Sequence, residues 1–280
     1  MSDVATNINW YPGHMAKAIR LMQEQLSLVD IVIEIKDSRI PIASSNPIIA
    51  DIAKNKPVLV ILNKADLADE KQNELWSKQY EHCLLTNSVN QNLSKIVVDE
   101  VKDILKDKLE KAKAKGIRKK VLRAMVVGIP NVGKSTFINN VVKKKITKTE
   151  NRPGVTRNLQ WIKINEDLEL LDTPGVLWPK LDNQDDARLL ALLGSIKDDL
   201  LDKEDLVRFG LNYIVDNYPG LINKRYDVEE NKDELVDLIA LKKNCILKDN
   251  NIDYNKTYDM ILKDIRNNKI GRITYQYVDE

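Results

Sequence analysis

The sequence predicts an α/β fold, with a mostly parallel sheet carrying a phosphate-binding loop and a smaller all-α region after it. Three observations predict it. Short β-branched runs alternate with stretches of helical periodicity as far as Trp178, the pattern of strands joined by crossover helices. Gly128 to Thr136 reads GIPNVGKST and matches G-x-x-x-x-G-K-[ST], directly after an apolar run and before a helical one. Beyond Trp178 the strand signal disappears and helical stretches continue. The expected division is therefore 1–180 for the α/β domain and 181–280 for a helical C-terminal domain.

The elements follow in order. From His14 to about Val29, the apolar residues Met15, Ala18, Ile19, Met22 and Leu26 recur at helical spacing. Asp30 to Ile35 (DIVIEI) and Pro57 to Leu62 (PVLVIL) have the composition of buried parallel strands. Between them, DSRIPIASSNPIIADIAK reads as a polar turn and then a helix. Cys83 to Thr86 is a weaker strand signal, and residues 92 to 115 read as one long charged helix stopped at Gly116. Arg123 to Gly128 is a strand, with a helix from Ser135. Gln160 to Ile164 and Leu168 to Asp172 pair across the turn Asn165–Asp167. Helices are then expected at 186–197, 203–217, 230–248 and 255–268, separated by turns such as Tyr218-Pro219-Gly220.

Composition narrows the function class. No apolar run approaches the ~20 residues that span a bilayer, and the first residues lack the regions of a signal peptide, so a cytoplasmic protein without membrane contact is expected. Cys83 and Cys245 follow no zinc-ligand spacing and read as reduced thiols. The net charge of +2 conceals an asymmetry: from Lys180 onward 16 basic residues face 21 acidic ones, leaving +7 on the first 179 residues. Lys111, Lys113, Lys115, Arg118, Lys119, Lys120 and Arg123 form a run without an acid. Lys143, Lys144, Lys145, Lys148, Arg152 and Arg157 form a second cluster. Such clusters attract phosphate-rich surfaces, although solvated helix and linker charge has the same composition.

The phosphate motif assigns roles by residue type. Backbone N–H groups of Asn131, Val132, Gly133, Ser135 and Thr136 can cradle an anion at the start of a helix. Lys134 is placed for the β and γ phosphates, and the Ser135 hydroxyl for Mg²⁺. Asp172-Thr173-Pro174-Gly175 closes another strand. Asp172 there can hold the metal through water, and the Gly175 N–H can sense a γ phosphate. Thr156, in RPGVTR, falls where a metal-contacting switch threonine belongs.

Asn63-Lys64-Ala65-Asp66 follows the strand VLVIL and points to guanine. The Asp66 carboxylate can accept from both the ring N–H and the exocyclic amine, a donor pair that adenine lacks. Asn63 would order the loops and the Lys64 stem would cover the base. Asn87-Ser88-Val89 would supply a backbone N–H to the guanine carbonyl. A turn or helix cap could also present the first of these motifs, but its companions favour a GTP/GDP site with Mg²⁺. The order is unusual: the base motifs precede the phosphate motifs, the reverse of Ras-like proteins. Such a circularly permuted chain can still build the same sheet if the former termini are joined, here through the basic segment at about 92–120. The switch region after Gly175 then leads directly into the helical tail.

With that order, NWYPGHMAKA, DSRIPIASSNP, NKAD, NSVN, GIPNVGKST, RPGVTR and LELLDTPGVLWPK closely resemble the YlqF-type circularly permuted GTPases, ribosome biogenesis GTPase A. GLNYIVDNYP and DIRNNKIGRITYQ extend the resemblance over nearly the whole chain. It implies a GTP-hydrolysing factor for a late step of large ribosomal subunit assembly, stimulated by the particle. It also implies a helical domain that helps bind rRNA. Val176 stands where Ras-like proteins place the glutamine that orients water. The resemblance implies that His14 takes over this role, whereas a histidine near a helix start can equally be a cap or surface contact. It also implies that the Asn131 side chain ligates a monovalent cation such as K⁺, near the β–γ bridge. A monomer is expected. The alternatives are a slowly hydrolysing GTP-dependent RNA-binding switch, or another permuted ribosome-associated GTPase.

Overall fold

The computed structural model describes residues 13–53, 56–87, 93–143, 159–177, 183–196 and 202–278. Its centre is a six-stranded sheet in the order β3-β2-β1-β4-β6-β5, with strands β1 Ile31–Asp37, β2 Val58–Asn63, β3 Cys83–Thr86, β4 Leu122–Val127, β5 Gln160–Lys163 and β6 Leu168–Asp172. All neighbours are parallel except β5 and β6, whose antiparallel pairing across the Asn165–Asp167 turn follows the expected hairpin. β1 is buried at every position, which is why it reads as a near-continuous apolar run. Its two charged interior residues, Glu34 and Lys36, answer each other at 3.5 Å.

The strand order reverses between β1 and β4. From β1 the chain steps outward through β2 to β3, and from β4 it builds the other half of the sheet. At such a switch point the loops leaving the strands diverge and open a crevice at the carboxyl ends. Register brings Asp37, Asn63 and Thr86 side by side at that end, and aligns Val126 with Asp172.

The helices of this region are α1 Gly13–Gln25, α2 Pro47–Ile52, α3 Glu70–Ser77, α4 Leu93–Ile104, α5 Lys106–Ala114 and α6 Lys134–Val142. The expected single helix over 92–115 is two, broken at Leu105, whose buried side chain reaches the core that α4 faces. α5 is mostly exposed and ends at Gly116, which takes φ +79°. The tail holds α7 Gln184–Leu192, α8 Lys203–Asn217, α9 Leu221–Tyr226, α10 Leu235–Lys242 and α11 Tyr254–Arg266. α10 is shorter than the expected 230–248, because Asn244 turns the chain at positive φ and an Ile246–Ile252 bridge closes the following loop. α9 was not expected from periodicity; Ile222 and Tyr226 are its buried contacts.

The buried apolar cluster is continuous from the sheet into the tail, running through Leu170, Leu190, Ile214 and Ile261. Beyond α11 the segment Gly271–Val278 returns over the α/β region. There Tyr275 N–H donates to Arg39 O at 2.8 Å, and Trp76 Nε1 donates to Gln276 O at 2.8 Å. No described helix is long and apolar enough to cross a membrane.

Candidate active site

The loop after β4 carries the phosphate motif and α6 begins at its lysine. Gly133 sits at φ +97°, and a Cβ there would strike Asn63 Nδ2, so glycine is required twice over. Lys134 is buried, with Nζ donating to the loop carbonyls of Gly128 (3.1 Å) and Ile129 (3.0 Å). Burial holds its pKa down to about 8, and the Asp172 carboxylate opposes that shift. Asp172, at the end of β6, is pushed up to about 6 by burial, against the pull of Lys134 and a backbone N–H at Thr173. Its Oδ1 is buried without a hydrogen-bond partner among the described residues.

Gly175 closes against this loop. A Cβ at this position would lie 2.8 Å from Lys134 Nζ and 2.9 Å from Pro130 Cα, so any side chain would displace the lysine. Thr173 Oγ1 ties the segment to Val126 O at 2.7 Å. Val176 is buried: Asn46 Nδ2 donates to its carbonyl at 2.9 Å, and its N–H reaches Gly128 O at 3.4 Å. An apolar, enclosed side chain cannot orient water. The next N–H, of Leu177, meets Met15 Sδ at 3.4 Å, which seats the first turn of α1 against the switch segment. His14 belongs to that turn, and its side chain lies outside the described residues.

The base motif joins the phosphate loop through two side chains. Asn63 Nδ2 donates to Val132 O at 2.8 Å and its Oδ1 accepts from Thr86 Oγ1 at 3.2 Å, so one amide spans three strand ends. Lys64, at φ +60°, sends Nζ to Asn131 O (2.6 Å) and Asp37 Oδ2 (2.8 Å). Its stem is thereby laid along the loop. Asp66 is exposed in the turn that follows. Asn87 follows β3, whereas Ser88 and Val89 lie outside the described residues, as does Thr156. Ser135 and Thr136 are half-buried in the first turn of α6.

Asn131 is tied to the helical tail by its side chain. It takes φ +63°, and its Nδ2 donates to Gly194 O in the turn after α7. Ser195 Oγ adds a bond to Pro130 O at 3.0 Å. The phosphate loop is thus held directly by the start of the helical tail.

Two residues of the site escaped the motif reading. Asp37 is buried and forks onto Arg39 (Nε 2.9 Å, Nη2 2.8 Å) while also holding Lys64. Arg39 and Lys64 together keep its carboxyl well below the usual carboxylate range. The available signal was a carboxylate and a guanidinium two residues apart at the end of a strand buried along its whole length. Two such charges are buried there only as a pair.

The basic run divides. Lys120 pairs with Asp30, Lys119 with Glu166, and Arg123 with Glu169 beneath the Trp161 ring, whereas Lys111, Lys113, Lys115 and Arg118 are exposed. In the second cluster only Lys143 lies among the described residues.

A family model described as 50S ribosome-binding GTPase matches residues 123–247. Proteins named ribosome biogenesis GTPase A from Bacillus licheniformis and Bacillus pumilus are 46% and 45% identical to this chain over 276 and 277 residues; each match covers 96% of this chain and 98% of the relative. The crystal structure of GNP-bound YlqF from T. maritima superposes with a TM-score of 0.67 at 23% identity, over 93% of this chain and 98% of that one. At that identity the superposition speaks for the shared P-loop GTPase fold.

Proposed function

The chain belongs to the ribosome biogenesis GTPase A family, a GTPase that binds GTP and GDP in ribosome biogenesis, and on that premise we propose how its residues act. The carrying observation is the meeting of Asn63, Lys64, Lys134, Asp172 and Gly175 at the switch point of the sheet. Backbone N–H groups from Asn131 to Thr136 bind the phosphates, Lys134 leaves its loop carbonyls for the β and γ oxygens, and Gly175 reports the γ phosphate. Asp66 reads guanine, with Asn63 and Lys64 bracing the loop and the Asn87–Val89 segment meeting the base carbonyl.

The site fits Mg²⁺ on the chemistry of its donors. Asp172 offers a buried oxygen that has no hydrogen-bond partner among the described residues, and Ser135 and Thr156 would supply hydroxyls. When bound, the ion neutralises charge on the β and γ phosphates. The Asn131 side-chain oxygen would hold a monovalent cation such as K⁺, which would add positive charge against the phosphates.

Val176 gives the site no group to orient water, so intrinsic hydrolysis is slow. The protein engages the large ribosomal subunit precursor as a cytoplasmic monomer, late in assembly, with the 181–280 domain and the exposed α5 lysines facing rRNA. RNA packed against the N-terminal segment brings His14 to the water, and activation by a supplied positioning group reaches on the order of 10³–10⁵-fold in GTPases. GTP turnover measured with and without large-subunit particles tests this reading. Strong stimulation is expected, and equal rates overturn it.

A further inference from the structure

The base-reading loop is braced by the far end of the chain. Arg272 reaches back to it with three nitrogens: Nε donates to Ala68 O at 2.7 Å, Nη2 to Ala65 O at 3.2 Å, and Nη1 to Glu70 at 3.3 Å. Ala65 and Ala68 bracket Asp66, so one guanidinium grips the backbone on both sides of the carboxylate. The neighbouring positions repeat the contact. Ile273 N–H donates to Leu67 O at 3.1 Å, and Thr274 Oγ1 accepts from Asp69 N–H at 3.0 Å. Within the loop itself, Ala65 N–H donates to Thr86 O, Leu67 N–H to Lys64 O, and Asn73 Nδ2 to Ala65 O. Those bonds fix its first residues; from Ala65 to Glu70 the C-terminal segment supplies a second set.

The brace is itself anchored. Thr274 is fully buried, its N–H donates to Tyr218 Oη and its carbonyl accepts from Tyr213 and Tyr218 hydroxyls. Gln276 Oε1 accepts from the N–H groups of Ile42 and Ala43. Thr274 and Gln276, just beyond Arg272, are therefore held by the C-terminal end of α8 and by the turn after β1.

We propose that Arg272 is a positioning residue for guanine recognition, fixing the Ala65–Ala68 backbone so that Asp66 meets the two base donors. This rests on the reading that Asp66 recognises guanine. A planar fork can hold two carbonyls at a set angle, which a lysine cannot. The geometry of a bidentate contact degrades when its backbone support is released, and the group most sensitive to that loss on the ligand is the exocyclic amine.

The probes are GDP and inosine diphosphate, which keeps the ring N–H and lacks the exocyclic amine. Dissociation constants for both are measured by competition against a fluorescent GDP analogue, on wild type, Arg272→Lys, Arg272→Gln and Thr274→Val. The wild type is expected to prefer GDP. Arg272→Lys and Arg272→Gln should reduce that preference about tenfold, the loss of roughly one held hydrogen bond to a charged group, with inosine diphosphate affinity nearly unchanged. Arg272 is exposed, so these variants are expected to fold, and Thr274→Val repeats the test from the Asp69 contact. A wild type that binds both nucleotides equally refutes the guanine reading of Asp66 and this proposal with it. A wild type that discriminates while all three variants keep its preference refutes the positioning role alone. Equal loss of both nucleotides makes Arg272 a purely structural residue, which also overturns the proposal.

Discussion

Removing the charge at Asp172 should stabilise the nucleotide-free protein while abolishing its metal-dependent nucleotide binding. The side chain is buried, one oxygen has no hydrogen-bond partner among the described residues, and burial raises its pKa from 3.8 to about 6. At 1.36 kcal/mol per unit, holding it ionised above pH 6 costs the folded state about 3 kcal/mol. Asp172→Asn escapes that cost. The pull of Lys134 is already contained in that figure, so what the variant gives back is the cost of an amide buried without its full hydrogen bonding, about 1–2 kcal/mol. The net expectation is a variant more stable by about 1–2 kcal/mol at pH 7.5. The pH sign follows from the raised pKa. Wild-type stability from this group is recovered as pH falls through 6, so the gap between the two proteins should shrink there and close towards pH 4. Urea denaturation without nucleotide at pH 7.5, 6 and 4.5 measures it, with Mg²⁺-dependent GDP binding followed alongside. A variant no more stable than wild type at pH 7.5, or a gap unchanged at pH 4.5, would refute the assignment of Asp172 as a strained functional carboxylate.

Three further outcomes are expected. Asp66→Asn should weaken GTP binding by about 2–4 kcal/mol and favour xanthine nucleotides, whose C2 carbonyl accepts from an amide; competition binding with both nucleotides checks it, and unchanged GTP affinity counts against the base site. Wild type should turn over GTP faster in potassium than in sodium at equal ionic strength. Asn131→Ala should abolish the difference, and because that side chain also donates to Gly194 O, its thermal stability should be followed in parallel. His14→Ala should keep GTP and particle binding and lose particle-stimulated turnover; if it is stimulated as well as wild type, His14 is a cap or an RNA contact.

Much of the site was legible because its chemistry is local. Residues 128–136 gather the glycines, lysine and serine of the loop within nine consecutive positions, and Asn63–Asp66 is a run of four at the end of β2. The strands were legible because β1, β2 and β4 are buried over most of both faces, and such burial favours near-continuous apolar runs. Helix ends were less so. The break at Leu105 leaves the charged pattern of 92–115 unaltered, and α9 is too short to show a period. Asp37 and Arg39 look like turn residues until β2 is laid beside β1 and brings Lys64 within 2.8 Å.

By itself, the sequence determined the family, the permuted order of the motifs and the α/β-then-α sequence of elements, since each depends on residue type and spacing along the chain. The tertiary structure alone decided which distant residues support those motifs. Nothing in the spacing of Asn131 and Gly194, of Arg39 and Arg266, or of Arg272 and Ala65 announces a contact, for these pairs lie 63, 227 and 207 residues apart. Their meeting follows from how the helical tail packs on the sheet. That packing is driven by a continuous apolar core, a non-directional force that brings whole faces together and leaves the polar partners to be settled by the geometry that results.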